Sequence, residues 1–413
     1  MNFSKPKIIY SSKFKKIILA ILTGILVGIV VSAFRFFIEH LLEFIKNNYH
    51  KHLLAIIILF ILFLMINYFL IKSEPDIKGS GIPQIEAQLN GQLAMDWFGV
   101  LWKKFVGGVL AIGSGLFLGR EGPSIQLGGV IGLGIWGGLG FSKTDQKILI
   151  SNGASAGLAA AFNAPVAGVL FILEEIHHNF SPIILVTSFV SSLTANYISL
   201  NVFGLKPILQ MVKDLPYIQP NQYIWVIFFG IFLGLFAKLY EVVLINLPLI
   251  PLWIPFVLLI PIGYFYTDLL GGGNSIILNL NKNNYTLLVI FGVLILRFVF
   301  SMISYGSGLP GGIFLPTLSL GAISGMLLSK VAIVFGLLPN SIIVSFIVIS
   351  MSGLFGAISM APLTSIVLVT EMVGSLHHLM PLALITITSY LIMDVFRGRP
   401  IYDLLTEKLI NKN

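Results

Sequence analysis

The sequence contains no cysteine and few charged residues. Asp, Glu, Lys and Arg make up only 10% of its 413 residues. The lack of cysteine excludes disulfide bonds, thiol catalysis and cysteine-ligated metal sites. Because 56% of the residues are hydrophobic, a soluble core does not account for the composition, and the chain is expected to contact lipid.

Long apolar windows recur along the chain, and each is near the roughly 20 residues that cross a bilayer. The mean hydropathy is +0.95. These windows predict an all-α, polytopic membrane protein with one transport domain over residues 1–413. Several windows are glycine-rich or short, which favours broken and re-entrant helices. The windows lie at residues 17–34, 53–71, 98–118, 125–141, 149–173, 182–203, 223–246, 249–266, 287–304, 312–338, 341–370 and 379–395.

The net charge of +8 is dispersed, with basic residues gathered near the two ends of the chain. Five lysines precede the first window, and Arg397 and Arg399 follow the last. Cytoplasmic loops of membrane proteins carry such an excess of Lys and Arg. We therefore predict that both termini are cytoplasmic, and we do not expect a nucleic-acid partner.

The segment Gly119-Arg120-Glu121-Gly122-Pro123 places two charges in a stretch that is otherwise uncharged from Phe105 to Ser142. A charge at bilayer depth costs about 2.5–3.5 kcal/mol, so such residues usually mark an ion path or pair with one another. Pro123 fits the first position of a helix, which places Glu121 just before a helix N-terminus. That end attracts anions, so Glu121 can lie where an anion would bind.

The chain contains an internal repeat. The residues from Gly113 to Gly128 recur from Gly306 to Gly321, so that Pro316 follows Pro123 by 193 positions. Ala-Pro followed nine residues later by Glu occurs at Pro165 and again at Pro362. Such copies predict two homologous halves that meet at one site. The halves are placed at residues 17–203 and 223–402, with a linker at 204–222 and a tail at 403–413.

Three glycine-rich helix starts are expected to face this site. Two are Gly119–Pro123 and Gly312–Pro316, and the third is Gly79-Ser80-Gly81-Ile82-Pro83. Glycine permits close approach of the backbone, and the Ser80 hydroxyl can donate a hydrogen bond. Neutral donors bind a transported anion weakly enough to release it.

These motifs, G-S-G-I-P, G-R-E-G-P and G-x-F-x-P in that order, resemble those of the CLC family of chloride channels and proton-coupled chloride transporters. The agreement covers residues 20–405 and is closest to the prokaryotic type without cytoplasmic CBS domains. The resemblance implies two inverted repeats, a homodimer with one pore per subunit, and a place in the inner (plasma) membrane. It implies chloride and protons as substrates, no enzymatic activity, no cofactor and no metal.

The resemblance also implies site residues. Ser80 and Tyr402 would bind the central chloride together with the amides of Ile313 and Phe314. Glu121 would be the gating glutamate, and Glu175 the internal proton acceptor. The supporting pore motifs are Gly79, Gly81, Pro83, Gly119, Arg120, Gly122, Pro123, Gly312 and Pro316. Gln84 departs from a glutamate of some bacterial relatives, and we expect it to affect a surface interaction.

Several of these residues have simpler interpretations. Ser80 could cap a helix, and Tyr402 could lie at the membrane interface. Glu174 has a counterpart in Glu371, which suggests a structural role in both halves. Glu175 is matched by Met372, and this uniqueness favours a functional role.

Other polar residues are predicted to be structural. The pairs His177-His178 and His377-His378 follow apolar helices without zinc-enzyme spacing, so we interpret them as surface-loop residues. Arg297 is expected to bond backbone carbonyls within the bundle. Lys238 and Glu241, three residues apart, are expected to form an ion pair.

Three kinds of function are compatible with the sequence. The first is a chloride/proton antiporter, in which Glu121 leaves the anion path to be protonated and Glu175 supplies the proton. The second is a passive voltage- or pH-gated chloride channel, which needs the same pore but not Glu175. A fluoride-transporting relative is disfavoured by Ser80 and Tyr402. The third, an intramembrane metalloenzyme, lacks a zinc motif.

Overall fold

The computed structural model describes residues 6–139, 142–205, 209, 215–280 and 285–411. These residues form seventeen α-helices with short 3₁₀ and π segments, and their one β-bridge joins Gly119 to Gly312. The helices are α1 (Pro6–Asn48), α2 (Leu53–Ser73), α3 (Ile82–Leu89), α4 (Trp97–Gly113), α5 (Glu121–Leu139), α6 (Lys143–Phe162), α7 (Pro165–Phe171), α8 (Pro182–Phe203), α9 (Tyr223–Asn246), α10 (Trp253–Phe265), α11 (Asn274–Asn279), α12 (Leu287–Gly306), α13 (Phe314–Val334), α14 (Ile343–Ser359), α15 (Pro362–Val373), α16 (Leu379–Val395) and α17 (Ile401–Ile410).

The predicted all-α, polytopic architecture is confirmed. Within the described ranges, seven helices are long and apolar enough to cross a membrane. They are Lys13–Asn48, Leu53–Ser73, Pro182–Phe203, Pro220–Asn246, Leu287–Gly306, Phe314–Val334 and Asn340–Ser359. Part of the predicted linker, residues 206–208 and 210–214, lies outside the described residues.

Two of the predicted windows are broken helices. Window 149–173 holds part of α6 and all of α7, and window 341–370 holds all of α14 and part of α15. The breaks occur at Asn163 and Met360, whose φ angles of 52° and 54° are left-handed. Pro165 and Pro362 then begin the next helix, where the missing N–H leaves no hydrogen bond unmade. The short helices α3, α11 and α17 fall outside the windows.

The repeat seen in the sequence is repeated in the helices. α5 and α13 begin 193 positions apart, and each packs closely against the helix that follows it. A Cβ at Gly321 would lie 2.6 Å from the Ser350 carbonyl oxygen, and one at Gly128 would clash with the Gly153 carbonyl. Only glycine fits at these positions, so α5 packs against α6 in the same way as α13 packs against α14.

Two glutamates join the halves reciprocally. The carboxylate of Glu174 accepts hydrogen bonds from the amides of Leu363 (3.0 Å) and Thr364 (2.7 Å) at the start of α15. The carboxylate of Glu371 accepts them from Val166 (3.1 Å) and Ala167 (2.9 Å) at the start of α7. Each carboxylate therefore satisfies free amides of a helix N-terminus in the other half. The structural role predicted for Glu174 is confirmed, and the exchange relates the copies by an approximate two-fold rotation, as in an inverted repeat.

Both predicted structural cations make the expected contacts. Arg297 is buried and donates to the carbonyls of Leu269 (3.0 Å), Gly271 (2.8 Å) and Gly272. Lys238 Nζ lies 2.7 Å from Glu241 Oε1.

The surface-loop interpretation holds for only some of the histidines. His178 is exposed, and His177 is partly buried, with Nε2 2.7 Å from Ser151 Oγ. His378 is buried, with Nε2 2.8 Å from the Pro216 carbonyl oxygen, so its prediction was wrong. The chain segment before α9 folds over His378, and a sequence pattern does not show such a contact. No group of three or more His, Asp or Glu with metal-binding geometry occurs among the described residues.

Candidate functional site

The Ser80 segment is a tight loop held by a buried lysine. Gly79 and Gly81 have φ angles of 62° and 89°, which favour glycine. Nζ of Lys104, a residue of α4, donates to the carbonyls of Ile77 (2.9 Å) and Gly79 (2.7 Å). The loop carbonyls are thereby turned toward Lys104, and Ser80 is fixed at the start of α3.

The Ser80 hydroxyl accepts a hydrogen bond from the backbone of α3. Its Oγ lies 3.3 Å from the amide nitrogen of Ile82, the first residue of α3. Ser80 itself is 1% exposed and precedes the N-cap residue Gly81. The helix-capping interpretation is therefore partly correct, and a hydroxyl that accepts one hydrogen bond can also donate one to an anion.

Two helix N-termini meet at a pair of glycines. The amide of Gly119 donates to the Gly312 carbonyl and the amide of Gly312 donates to the Gly119 carbonyl, both at 2.7 Å. α5 begins two residues after Gly119, at Glu121, and α13 begins two residues after Gly312, at Phe314. The two positive helix ends therefore lie side by side, as predicted.

The predicted start of α5 was wrong by two residues. Glu121 is the first helical residue, and Pro123 is the third. Pro123 still lies in the first turn, where a missing N–H leaves no intrahelical bond unmade, and Pro316 occupies the same position in α13. The motif glycines are required by close contacts. A Cβ at Gly122 would lie 2.8 Å from Ser80 Cβ, and one at Gly312 would lie 3.3 Å from the Gly122 nitrogen.

The Glu121 carboxylate is fully buried, and neither oxygen has a hydrogen-bond partner of regular geometry. It folds back beside Gly119 toward the backbone amide of Leu315, in the first turn of α13. The first amides of a helix have no intrahelical acceptor, so they attract a negative group. The carboxylate therefore lies in front of the first turn of α13, at the positive end of that helix.

Tyr402 is the second residue of α17 and is 1% exposed. Its ring contacts the edge of Phe171 (centroids 6.0 Å apart), which in turn packs against Phe314 (5.8 Å). The membrane-interface interpretation was therefore wrong. Tyr402 lies close enough to both Glu121 and Glu175 to interact with them electrostatically.

Glu175 lies in a π-helical turn, Ile172–Ile176, that follows α7. Glu175 is 1% exposed, and its Oε1 atom is buried without a hydrogen-bond partner. π-turns of this kind occur frequently at functional sites. Glu86 and Asp403 face Glu175 electrostatically, and Asp403 also lies 3.3 Å from Nε2 of the exposed His178. That hydrogen bond raises the pKa of His178.

Two cavities approach the site. The first, the Ser80 vestibule, has a volume of about 360 Å³ and is lined by Lys78, Gly79, Ser80 and Tyr305 among others. The second, the Glu39 vestibule, also has a volume of about 360 Å³. Its lining includes Glu39, Glu43, Lys46, Arg120 and Leu315. Ser80, which lines the first cavity, contacts Gly122 in the first turn of α5, and Leu315 lines the second cavity. The buried Glu121 carboxylate, next to Gly122 and the Leu315 amide, therefore lies between the two cavities.

Three polar contacts of this site were not predicted from the sequence. Lys104 is a buried charge in an apolar helix, and the argument that singled out Arg120 applies to it equally. Tyr305 hydrogen-bonds Ser80, but a tyrosine in a hydrophobic helix gives no signal of its own. Arg120 pairs with Glu39 (2.6 Å) rather than with its neighbour Glu121, and this contact joins residues 81 positions apart.

The sequence profile of the family described as "Voltage gated chloride channel" matches residues 61–394. This chain belongs to that family, the CLC family. The recognition made from the three motifs is thus confirmed.

Members of the CLC family resemble the chain over nearly all of its length. The protein named "H(+)/Cl(-) exchange transporter ClcA" from Vibrio parahaemolyticus is 32% identical, over 98% of this chain and 91% of that protein. The protein of the same name from Klebsiella pneumoniae is 31% identical, over 86% of this chain and 79% of that protein. A solved structure described as "a slow cyanobacterial Cl-/H+ antiporter" has a TM-score of 0.88 at 29% identity, covering 96% and 98% of the two chains. The chain is therefore a multi-pass membrane protein of a transport family.

Proposed function

We propose that this chain exchanges chloride for protons across the membrane. The observation that carries the proposal is the buried Glu121 carboxylate, which lies beside the first-turn amides of α13. Relatives of nearly the same length are named H(+)/Cl(-) exchange transporters, and a similar structure is described as a Cl-/H+ antiporter.

Chloride binding is assigned to neutral donors. These are the hydroxyls of Ser80 and Tyr402 and the amides of Ile313 and Phe314, beside the first turn of α13. Such dipoles stabilise an anion without a fixed charge, so the ion can leave again. Chloride and the proton are assigned as the substrates, and no cofactor is assigned.

Coupling follows from competition for one position. An ionised Glu121 carboxylate excludes an anion from the α13 terminus, whereas the protonated side chain loses its attraction to the helix end and leaves it to chloride. Each exchange of carboxylate for chloride therefore requires a proton to reach Glu121.

Glu175 is assigned as the internal proton acceptor. It is buried, its Oε1 lacks a partner, and Tyr402 lies within electrostatic reach of both glutamates. A passive channel needs the anion path but not this second carboxylate. An isolated carboxylate is costly to bury inside a membrane protein, so its presence there favours a functional role such as proton transfer. This observation supports the antiporter over the channel.

The remaining assignments concern assembly and membrane placement. The chain is assigned as one transport domain with halves at residues 17–203 and 223–402, a linker at 204–222 and a tail at 403–413. It is expected to form a homodimer with one pore per subunit in the inner membrane, with both termini cytoplasmic. Many large apolar side chains are exposed on its helices, as lipid contact requires.

The decisive experiment uses purified protein in sealed liposomes. A chloride gradient alone should drive protons against their own gradient, measured with a pH-sensitive dye inside the vesicles. Chloride flux without uphill proton movement would identify a channel instead. Loss of flux on addition of a chelator would favour a metal-dependent activity.

Replacing Ser80 by proline should raise the preference for nitrate over chloride by about tenfold, because a hydrogen bond from a neutral donor to an ion is worth about 1.5 kcal/mol. Chloride is the smaller and more strongly hydrated ion, so loss of the donor affects it more. The selectivity is measured as the ratio of initial fluxes under matched gradients.

A matched control is available in the second half of the chain. Ser307 also lies in a G-S-G-x-P segment, but its hydroxyl donates to the Ser304 carbonyl at 2.7 Å. Ser307→Ala should leave selectivity unchanged, whereas Ser80→Ala should shift it in the same direction as Ser80→Pro. Unchanged selectivity in folded Ser80 variants would remove Ser80 from the anion site.

A further inference from the structure

A charge cluster connects the Glu39 vestibule to Glu121. One oxygen of Glu39, Oε1, accepts from both Arg35 Nε (3.0 Å) and Arg120 Nη1 (2.6 Å). The side chain of Glu39 is 40% exposed, whereas those of Arg35 and Arg120 are 11% and 6% exposed. Glu39 is therefore the member of the cluster that is in contact with water.

The two arginines keep unused hydrogen-bonding capacity. Arg35 Nη1 and Arg120 Nε and Nη2 are buried without a partner. Arg35 is also fixed over the ring of Phe203, with Cζ 3.8 Å from the ring centroid. Both guanidinium groups interact electrostatically with the buried Glu121 carboxylate. Neither is neutralised by a carboxylate of its own, since they share one oxygen of Glu39.

The charges in this cluster balance only when Glu121 is ionised. Arg35 and Arg120 contribute two positive charges, and Glu39 and Glu121 contribute two negative ones. Protonation of Glu121 leaves one positive charge uncompensated beside the α13 terminus. In a low-dielectric environment such a charge attracts an anion strongly.

We propose that Glu39 is a positioning residue that sets the acidity at which the transporter opens. It holds Arg35 and Arg120 in place and offsets half of their charge at Glu121. The inference rests on the proposed gating role of Glu121.

Other polar groups around the gate are accounted for. Arg120 precedes Glu121 directly, and α1 contributes Arg35, Glu39, Glu43 and Lys46. Tyr402 of α17 interacts electrostatically with Glu121, and α13 presents backbone amides to the Glu121 carboxylate. Lys46 donates to Ser275 Oγ at 3.0 Å and interacts with Asp268 and Arg297. Among these groups, Glu39 is the carboxylate that is paired with Arg120.

Because protonation of Glu121 frees the α13 terminus for chloride, chloride flux should rise as the pH falls. Glu39→Gln should move the midpoint of this rise to lower pH by about one unit. Without the Glu39 charge, the two guanidinium groups stabilise ionised Glu121 more strongly, so more acid is needed to protonate it. A midpoint shift of about one pH unit is what the loss of one unit charge near Glu121 produces in a partly buried environment. The midpoint is measured from chloride efflux out of liposomes at external pH values from about 4 to 8.

The matched control is Glu43→Gln. Glu43 lies one turn further along α1 and lines the same vestibule, but no ion pair to it is found in the described part of the chain. Its replacement should leave the midpoint unchanged, as should the charge-conserving Glu39→Asp. Arg35→Gln removes a positive charge instead and should raise the midpoint. A purely structural role of the cluster would not give shifts of opposite sign.

The outcomes separate the two proposals. If Glu121→Gln alone still shows acid activation, the gating role of Glu121 fails and the inference fails with it. If Glu121→Gln is independent of pH while Glu39→Gln behaves as Glu43→Gln, the inference alone is overturned. An equal shift of Glu39→Gln in the Glu121→Gln background would also overturn it, because the effect would then not pass through the gate.

Discussion

Replacing Glu121 by glutamine should leave chloride flux running, remove its activation by acid and abolish proton exchange. The neutral amide imitates a protonated glutamate and no longer competes for the start of α13. A carboxylate gains about 0.3–1 kcal/mol from a helix N-terminus, or up to ~2 kcal/mol when it is partly buried, and the amide forfeits most of this. Chloride occupancy should therefore rise, although no positive charge has been added.

Two measurements check this result. Calorimetric titration should show an additional chloride ion bound in Glu121→Gln, and the pH dye should report no uphill proton movement. Glu43→Gln serves as the control, since it removes a carboxylate from the same vestibule without touching the α13 terminus. A glutamine variant that binds no more chloride than wild type and still exchanges protons would show that Glu121 is structural.

Glu175→Gln should preserve chloride transport while abolishing coupled proton movement. The anion path and Glu121 are unchanged in this variant, but the buried group that receives protons no longer titrates. Flux of each ion is measured in the same vesicles, so the ratio of protons to chloride is the readout. We expect this ratio to fall by more than tenfold, because one protonation step is removed altogether.

The adjacent residue gives the control. Glu174 accepts two amide hydrogen bonds and one from the Thr364 hydroxyl (2.7 Å) at the start of α15. Glu174→Gln should lower the free energy of unfolding by about 1–2 kcal/mol, since charge-assisted bonds to a helix terminus are weakened, and should keep the coupling ratio. Full proton coupling in Glu175→Gln would refute the assignment of Glu175 as the internal proton acceptor.

The elements that could be predicted were those with a local signal. Apolar windows located most of the long helices, because lipid contact imposes composition along the chain. The 193-residue offset placed the starts of α5 and α13 in one register, and glycines marked the close contacts at Gly122 and Gly312. Pro123 misplaced the start of α5 by two residues, because proline is tolerated throughout the first turn.

The elements that could not be predicted depend on distant contacts. Glu39 gives no local signal in the sequence, since its partner Arg120 is 81 positions away. His378 was interpreted as a loop residue because nothing local indicates that the Pro216 carbonyl covers it. Tyr402 had two chemically reasonable locations. Its burial follows from the placement of α17, where Thr406 donates to Glu86 Oε2 at 2.7 Å.

The exchange of carboxylate contacts between the halves limits how the molecule can move. A rocking motion of one half against the other would break the bonds of Glu174 and Glu371 and the paired bonds between Gly119 and Gly312 together. Rotation of the Glu121 side chain breaks no hydrogen bond of regular geometry and leaves these contacts between the halves intact. The moving volume is then that of one side chain, and lipid need not be displaced. Transport should therefore depend only weakly on the lateral pressure and thickness of the bilayer.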